Sequence, residues 1–198
     1  MRLGRNRAAT VSRHTEHSGR GNRTAQEQEN IMRKEIYQML IEQLTKLYVT
    51  PEGEHAVVEH GCEVPEGWER AIRHIDLWNH NVEFIEQEEN WERPAVFVEF
   101  QPIQWNAIQP GAEYRAEPIV HLHVVTDWQG SSSADSEFRE QSLKVFDLLE
   151  AIHQQLACRR GKTFLEFDLV ESSTNHNHED IIENIETYQC VAIKSLEM

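Results

Sequence analysis

The apolar residues change period at Pro94, and that change limits the fold more than any other feature of the chain. Before it, Ile36, Tyr37, Leu40, Ile41, Leu44, Leu47 and Tyr48 recur at spacings of three and four, the repeat that gathers side chains along one stripe of a helix. After it, Val96, Val98 and Phe100 alternate with Ala95, Phe97 and Glu99, which sends the two sets to opposite faces of a strand. A second alternating run, "EPIVHLHVVT", puts Val120, Leu122 and Val124 on one face and Ile119, His121, His123 and Val125 on the other. The Pro110-Gly111 pair between the two runs is a turn signal, so together they read as one long β-hairpin.

The helical period returns after "GSSSADSE", where Asp135 and Ser136 suit a helix start. It carries Phe138, Val145, Phe146, Leu149, Ile152 and Leu156, and Gly161 suits the exit. Two further alternating runs follow, one with Leu165, Phe167 and Leu169, the other with Gln189, Val191 and Ile193. The expected elements are helices near 28–48 and 136–157 and strands near 95–105, 113–126, 164–171 and 186–194. The simplest packing of these is an α+β domain: a mainly antiparallel four-stranded sheet with both helices on one face.

Charge divides the chain further. Residues 1–25 hold six arginines and one acid. With almost no large apolar side chain to offset the entropy of ordering, this stretch reads as a flexible basic arm, and residues 26–198 as the domain. The formal charge of the whole chain is −15, so residues beyond the arm carry −20. Residues 52–93 contribute twelve acids against three arginines and read as an acidic excursion that begins irregularly. Its later part, "RAIRHIDLWNHNVEFIEQEE", reads as partly helical or short-stranded. Such a surface repels nucleic acid on average.

No apolar run approaches the roughly 20 residues of a membrane span, and no secretory leader is recognisable at the N-terminus. Cys62, Cys158 and Cys190 are widely spaced, with no C-x-x-C pair, and are expected to be buried thiols. No nucleophile elbow or phosphate-binding glycine loop is present. The acidic pairs Glu88/Glu89 and Glu179/Asp180 fit solvated segments better than acid–base chemistry, so no catalytic residue, cofactor or enzyme activity is expected. His121 and His123 share a strand face, and His176 and His178 sit two apart near Glu179 and Asp180. Four imidazoles can hold a transition metal, which makes a small metal- or ligand-binding protein the alternative function. Ordinary sheet-face histidines are the simpler reading. Five tryptophans fall between the helices. Trp105 near the hairpin tip is the interface candidate among them, with Ile108 and Tyr114 beside it, whereas Trp78 in "IDLWN" reads as core. In the arm, Arg5, Arg7 and Arg13 are candidate contacts to an acidic partner or to DNA.

The string "IRHIDLWNHNVEFIEQEENWERPAVFVEF", the hairpin into "VHLHVVTD", the helix "SLKVFDLLEAIHQQL" and the last strand after an Asn, His and Asp loop resemble the tail-terminator and tail-completion proteins of tailed phages. The likeness covers about residues 30–195 and is greatest to versions from phages and prophages of Bacteroidetes-type bacteria. It implies a homo-oligomeric ring, most simply a hexamer, at the phage neck. Such a ring caps the tail tube, contacts tail-tube and head–tail connector proteins, and lets genomic DNA pass without tight binding. The implied location is the virion, after assembly in the host cytoplasm, with no membrane partner.

Overall fold

A computed structural model describes residues 17–81, 91–175 and 180–195, with side chains from residue 26 to residue 194. The first helix, α1 (His17–Leu44), is followed at once by a short strand, β1 (Leu47–Val49). The sequence predicts a helix as far as Tyr48. Instead Thr45 turns its hydroxyl back onto the Ile41 carbonyl, 2.7 Å away, and the Lys46 N–H shortens its bond to the Gln43 carbonyl. The aromatic and β-branched residues that follow, running up to Pro51, favour extended backbone. At its other end, the helix backbone runs back through residues 17–25, which the sequence assigns to the arm. Propagating an existing helix costs far less than starting one. Residues 1–16, with Arg5, Arg7 and Arg13, lie outside the described residues.

The acidic excursion is more regular than its composition suggests. It supplies β2 (His55–Val57) and β3 (Glu69–Arg70), which flank β1 in a three-stranded antiparallel sheet, and β4 (His74–Leu77). β4 lies parallel to β5 (Ala95–Phe100) at the edge of the main sheet. The remaining strands are β6 (Asn106–Gln109), β7 (Glu113–Ala116), β8 (Ile119–Asp127), β9 (Leu165–Asn175) and β10 (Ile181–Ser195), with α2 (Arg139–Leu156) between β8 and β9. The α+β class holds, but the main sheet has seven strands of mixed direction in place of four antiparallel ones. Its order is β4-β5-β8-β10-β7-β6, with β9 on the other edge of β10.

Part of the extra strand count comes from two prolines. β5 pairs β8 with Phe100 opposite Val120, and the Gln101 N–H still donates to the Ile119 carbonyl. Continuing that register brings Pro102 opposite Pro118. Neither has an N–H to give to the ladder, so the long hairpin is interrupted at one level on both strands. It resumes as β6 and β7, which carry a bulge between Ala107 and Gln109. β10 spans the break: Gln189 opposes Ile119 and Ala192 opposes Ala116 in one unbroken register, and the Cys190 N–H donates to the Pro118 carbonyl.

Both helices cover the same sheet face. Met32, Ile36, Leu40 and Leu44 of α1 and Leu148, Ile152 and Leu156 of α2 pack with Val96, Val98, Val120, Leu122, Val124, Tyr188 and Cys190. A buried hydrogen bond from Gln155 to Gln43 ties one helix to the other. On the opposite face Ala95, Phe97, Val125 and Ile181 form a smaller cluster under the half-buried Trp78 and Trp91, so Trp78 contributes to the core as a lid.

Several local expectations change. α2 begins one turn later than Asp135, with Phe138 at its N-cap, and the Ser136 hydroxyl accepts the Phe138 N–H at 3.1 Å. Its exit is made by Cys158 at φ 57°, not by Gly161. Gly161 serves a close approach, because a Cβ there would lie 2.5 Å from the Phe164 ring and 2.6 Å from a Glu35 oxygen. Cys190 is buried as expected, but Cys62 and Cys158 are exposed, since both lie in turns outside the sheet and helices.

Candidate functional site

The strongest concentration of polar chemistry lies on the sheet face away from the helices. In β5 and β8, residues directly opposite share a face, and Glu99 is opposite His121 while Phe97 is opposite His123. On the other side of β8, Ile185 opposes His123, which leaves Glu183 diagonal to that imidazole. Three adjacent strands therefore deliver two histidines and two carboxylates to one spot, because each strand alternates and all are in register.

His123 is the hub. Its Nδ1 lies 2.7 Å from Glu183 Oε1, and its Nε2 lies 3.3 Å from Glu99 Oε2. The indole of Trp78 stacks on the imidazole with centroids 3.9 Å apart and planes 5° from parallel. The Asn175 carboxamide donates to the second Glu183 oxygen at 2.6 Å. Both His123 and Glu183 are buried, with side chains 6% and 2% exposed. His121 and Glu99 are more open, at 27% and 33%. His121 Nδ1 is 3.0 Å from Glu99 Oε2 and 3.2 Å from Gln101 Nε2. That nitrogen serves either as donor to the carboxylate or as acceptor from the amide. Donor atoms of Glu99, His121 and His123 all lie within 4.8 Å of one another.

Alternation in the sequence pairs His121 with His123 but does not bring Glu99, Glu183 or Trp78 to them. Glu99 carried a usable signal: it is the lone carboxylate in "PAVFVEF", on the face opposite Val96 and Val98. Glu183 carried none, since its meeting with His123 depends on the β8–β10 register. His176 and His178, the other expected ligands, lie outside the described residues.

The proposed interface residues occupy the second half of the hairpin. Trp105 is half-buried at the base of β6 and packs against the main core. The Lys194 ammonium sits 4.9 Å from its ring and 5.2 Å from that of Tyr114, its partner across the β7–β10 ladder. Aromatic faces attract a cation held in this way, so Trp105 and Tyr114 anchor the arm of the hairpin to β10. Ile108 lies farther out and is 53% exposed, in a strand whose four residues are all exposed.

No family model matches the chain, and no curated protein matches it. Among solved structures, it superposes on a chain of the virion of a native gene transfer agent particle with a TM-score of 0.37 and 8% identity, over 62% of this chain and 79% of that one. No helix among the described residues is long and apolar enough to cross a membrane.

Proposed function

We propose that the chain is a non-catalytic structural subunit of a tailed-phage virion. It closes with copies of itself, most simply six, into a ring at the neck or head-proximal end of the tail. There it caps the tail tube and meets the head-side connector. The reading starts from the resemblance of the sequence strings to tail-terminator proteins. The structural observation that supports it is the β6–β7 hairpin. It reaches past the prolines, has β6 as an edge strand, exposes Ile108 and is braced at its base by Lys194. An edge strand with unpaired backbone groups is a ready surface for another copy. The −20 carried beyond the arm suits a channel that repels phosphate and lets DNA pass.

Light scattering coupled to size-exclusion chromatography tests the reading on the full chain. A cyclic oligomer is expected, and Ile108→Glu, which touches no core, is expected to shift it toward smaller species without lowering thermal stability. A chain that stays monomeric at high concentration overturns the proposal.

A further inference from the structure

We propose that Glu99, His121 and His123 form a binding site for a divalent transition-metal ion of the zinc class, with Glu183 as the outer carboxylate that orients His123. A tetrahedral zinc ion with bonds of about 2.0–2.1 Å holds its ligand atoms about 3.3 Å apart. Glu99 Oε2 already stands 3.3 Å from His123 Nε2 and 3.0 Å from His121 Nδ1. Two imidazole nitrogens and one carboxylate oxygen are a zinc donor set, and three protein ligands leave a fourth position for water.

The surroundings of His123 carry the inference further than the donor count. A metal-bound histidine commonly gives its other ring N–H to a carboxylate, which fixes the tautomer and aims the free lone pair. Glu183 takes Nδ1 of His123 in this way, and with that nitrogen acting as donor, the Nε2 lone pair faces Glu99 and His121. Asn175 in turn holds Glu183 through its other oxygen, and Trp78 stacked on the ring limits its rotation. Burial of His123 and Glu183 beside the more open Glu99 and His121 leaves the ion an approach from solvent. The bound ion would clamp β5 to β8 on the face that the helices do not cover.

The full chain, stripped with a chelator, is titrated with Zn²⁺ against a chromophoric competitor and separately with Co²⁺, whose visible absorption reports a low-symmetry site. One equivalent is expected to bind at micromolar or lower concentration, with intense tetrahedral cobalt bands. Glu99→Gln and His121→Gln, both at partly open positions, are expected to abolish both signals while leaving the circular dichroism and thermal unfolding of the metal-free chain unchanged. Glu183→Gln is expected to weaken binding about 10–100-fold. Absence of binding by the unaltered chain overturns the proposal. So does one-equivalent binding that survives Glu99→Gln and His121→Gln, because the metal would then sit on other histidines.

Discussion

Replacing Tyr188 by phenylalanine should make the protein more stable, against the usual direction of core substitutions. Tyr188 is fully buried and its ring stacks on Phe167 with centroids 4.9 Å apart and planes 8° from parallel. Its hydroxyl has no hydrogen-bond partner among the described residues. Burial, reinforced by the charges of Glu186 and Glu150, pushes the phenol well above its usual range, so it remains a neutral O–H at working pH. A buried hydroxyl without a partner costs about 1–3 kcal/mol. Tyr188→Phe removes that cost and keeps the stack. It leaves a hole of roughly 15 Å³, which at about 24 cal/mol per Å³ costs about 0.4 kcal/mol. The net gain is about 0.6–2.6 kcal/mol. For a domain of this size, each kcal/mol moves Tm by about 2–4 °C. Calorimetry and urea unfolding should show a higher Tm and midpoint with an unchanged slope. A loss of 1 kcal/mol or more would refute the reasoning by showing that the hydroxyl is bonded.

Two further outcomes are expected. Burial acts to raise the Glu35 carboxyl, but the Thr163 hydroxyl, the Lys162 and Thr163 backbone N–H groups and the Lys162 charge outweigh it and hold the group below its ordinary range. A lowered folded value means stability that is present above the ordinary carboxylate range and lost as pH falls through the folded value. Glu35→Gln should therefore cost about 1 kcal/mol at neutral pH, discounted for partial exposure, and progressively less as pH falls below the ordinary carboxylate range; a loss that stays constant as pH falls in urea unfolding would contradict this. Burial pushes the Cys190 thiol up to about 12, whereas Cys62 and Cys158 are exposed. Alkylation of the native protein at pH 8, read by mass spectrometry, should label the latter two and spare Cys190, and equal labelling of all three would refute the burial argument.

The long-range design was legible wherever periodicity was strong. The face assignments of Val96, Val98, Val120, Leu122 and Val124 against Ala95, Phe97 and Val125 follow from alternation alone, and they are the two faces that carry the two clusters. What escaped depends on pairing rather than on pattern. β4 has only four residues and is defined by its parallel neighbour β5. β1 has a local sequence that continues a helical stripe, and its conversion to strand draws on β2 and β3. The split hairpin was hidden because Pro102 and Pro118 gain meaning only when the register sets them opposite one another. The histidine site shows the same limit: its two imidazoles came from one strand, while its two carboxylates came from the strands on either side.

The position of β10 governs the order in which such a molecule can be completed. The strand that comes last in the chain among the described elements lies inside the sheet, with β7 and β8 on one edge and β9 on the other. Only the β9–β10 pair joins neighbours in sequence; the partners in β7 and β8 are more than fifty residues away. During synthesis, β5 through β8 can form their hairpin early, yet β8 must wait with one edge open until β10 has left the ribosome. Contacts of that sequence separation slow folding, and the waiting edge is open to pairing with another chain. The nascent protein therefore passes through an interval of aggregation risk that ends when β10 inserts between β8 and β9.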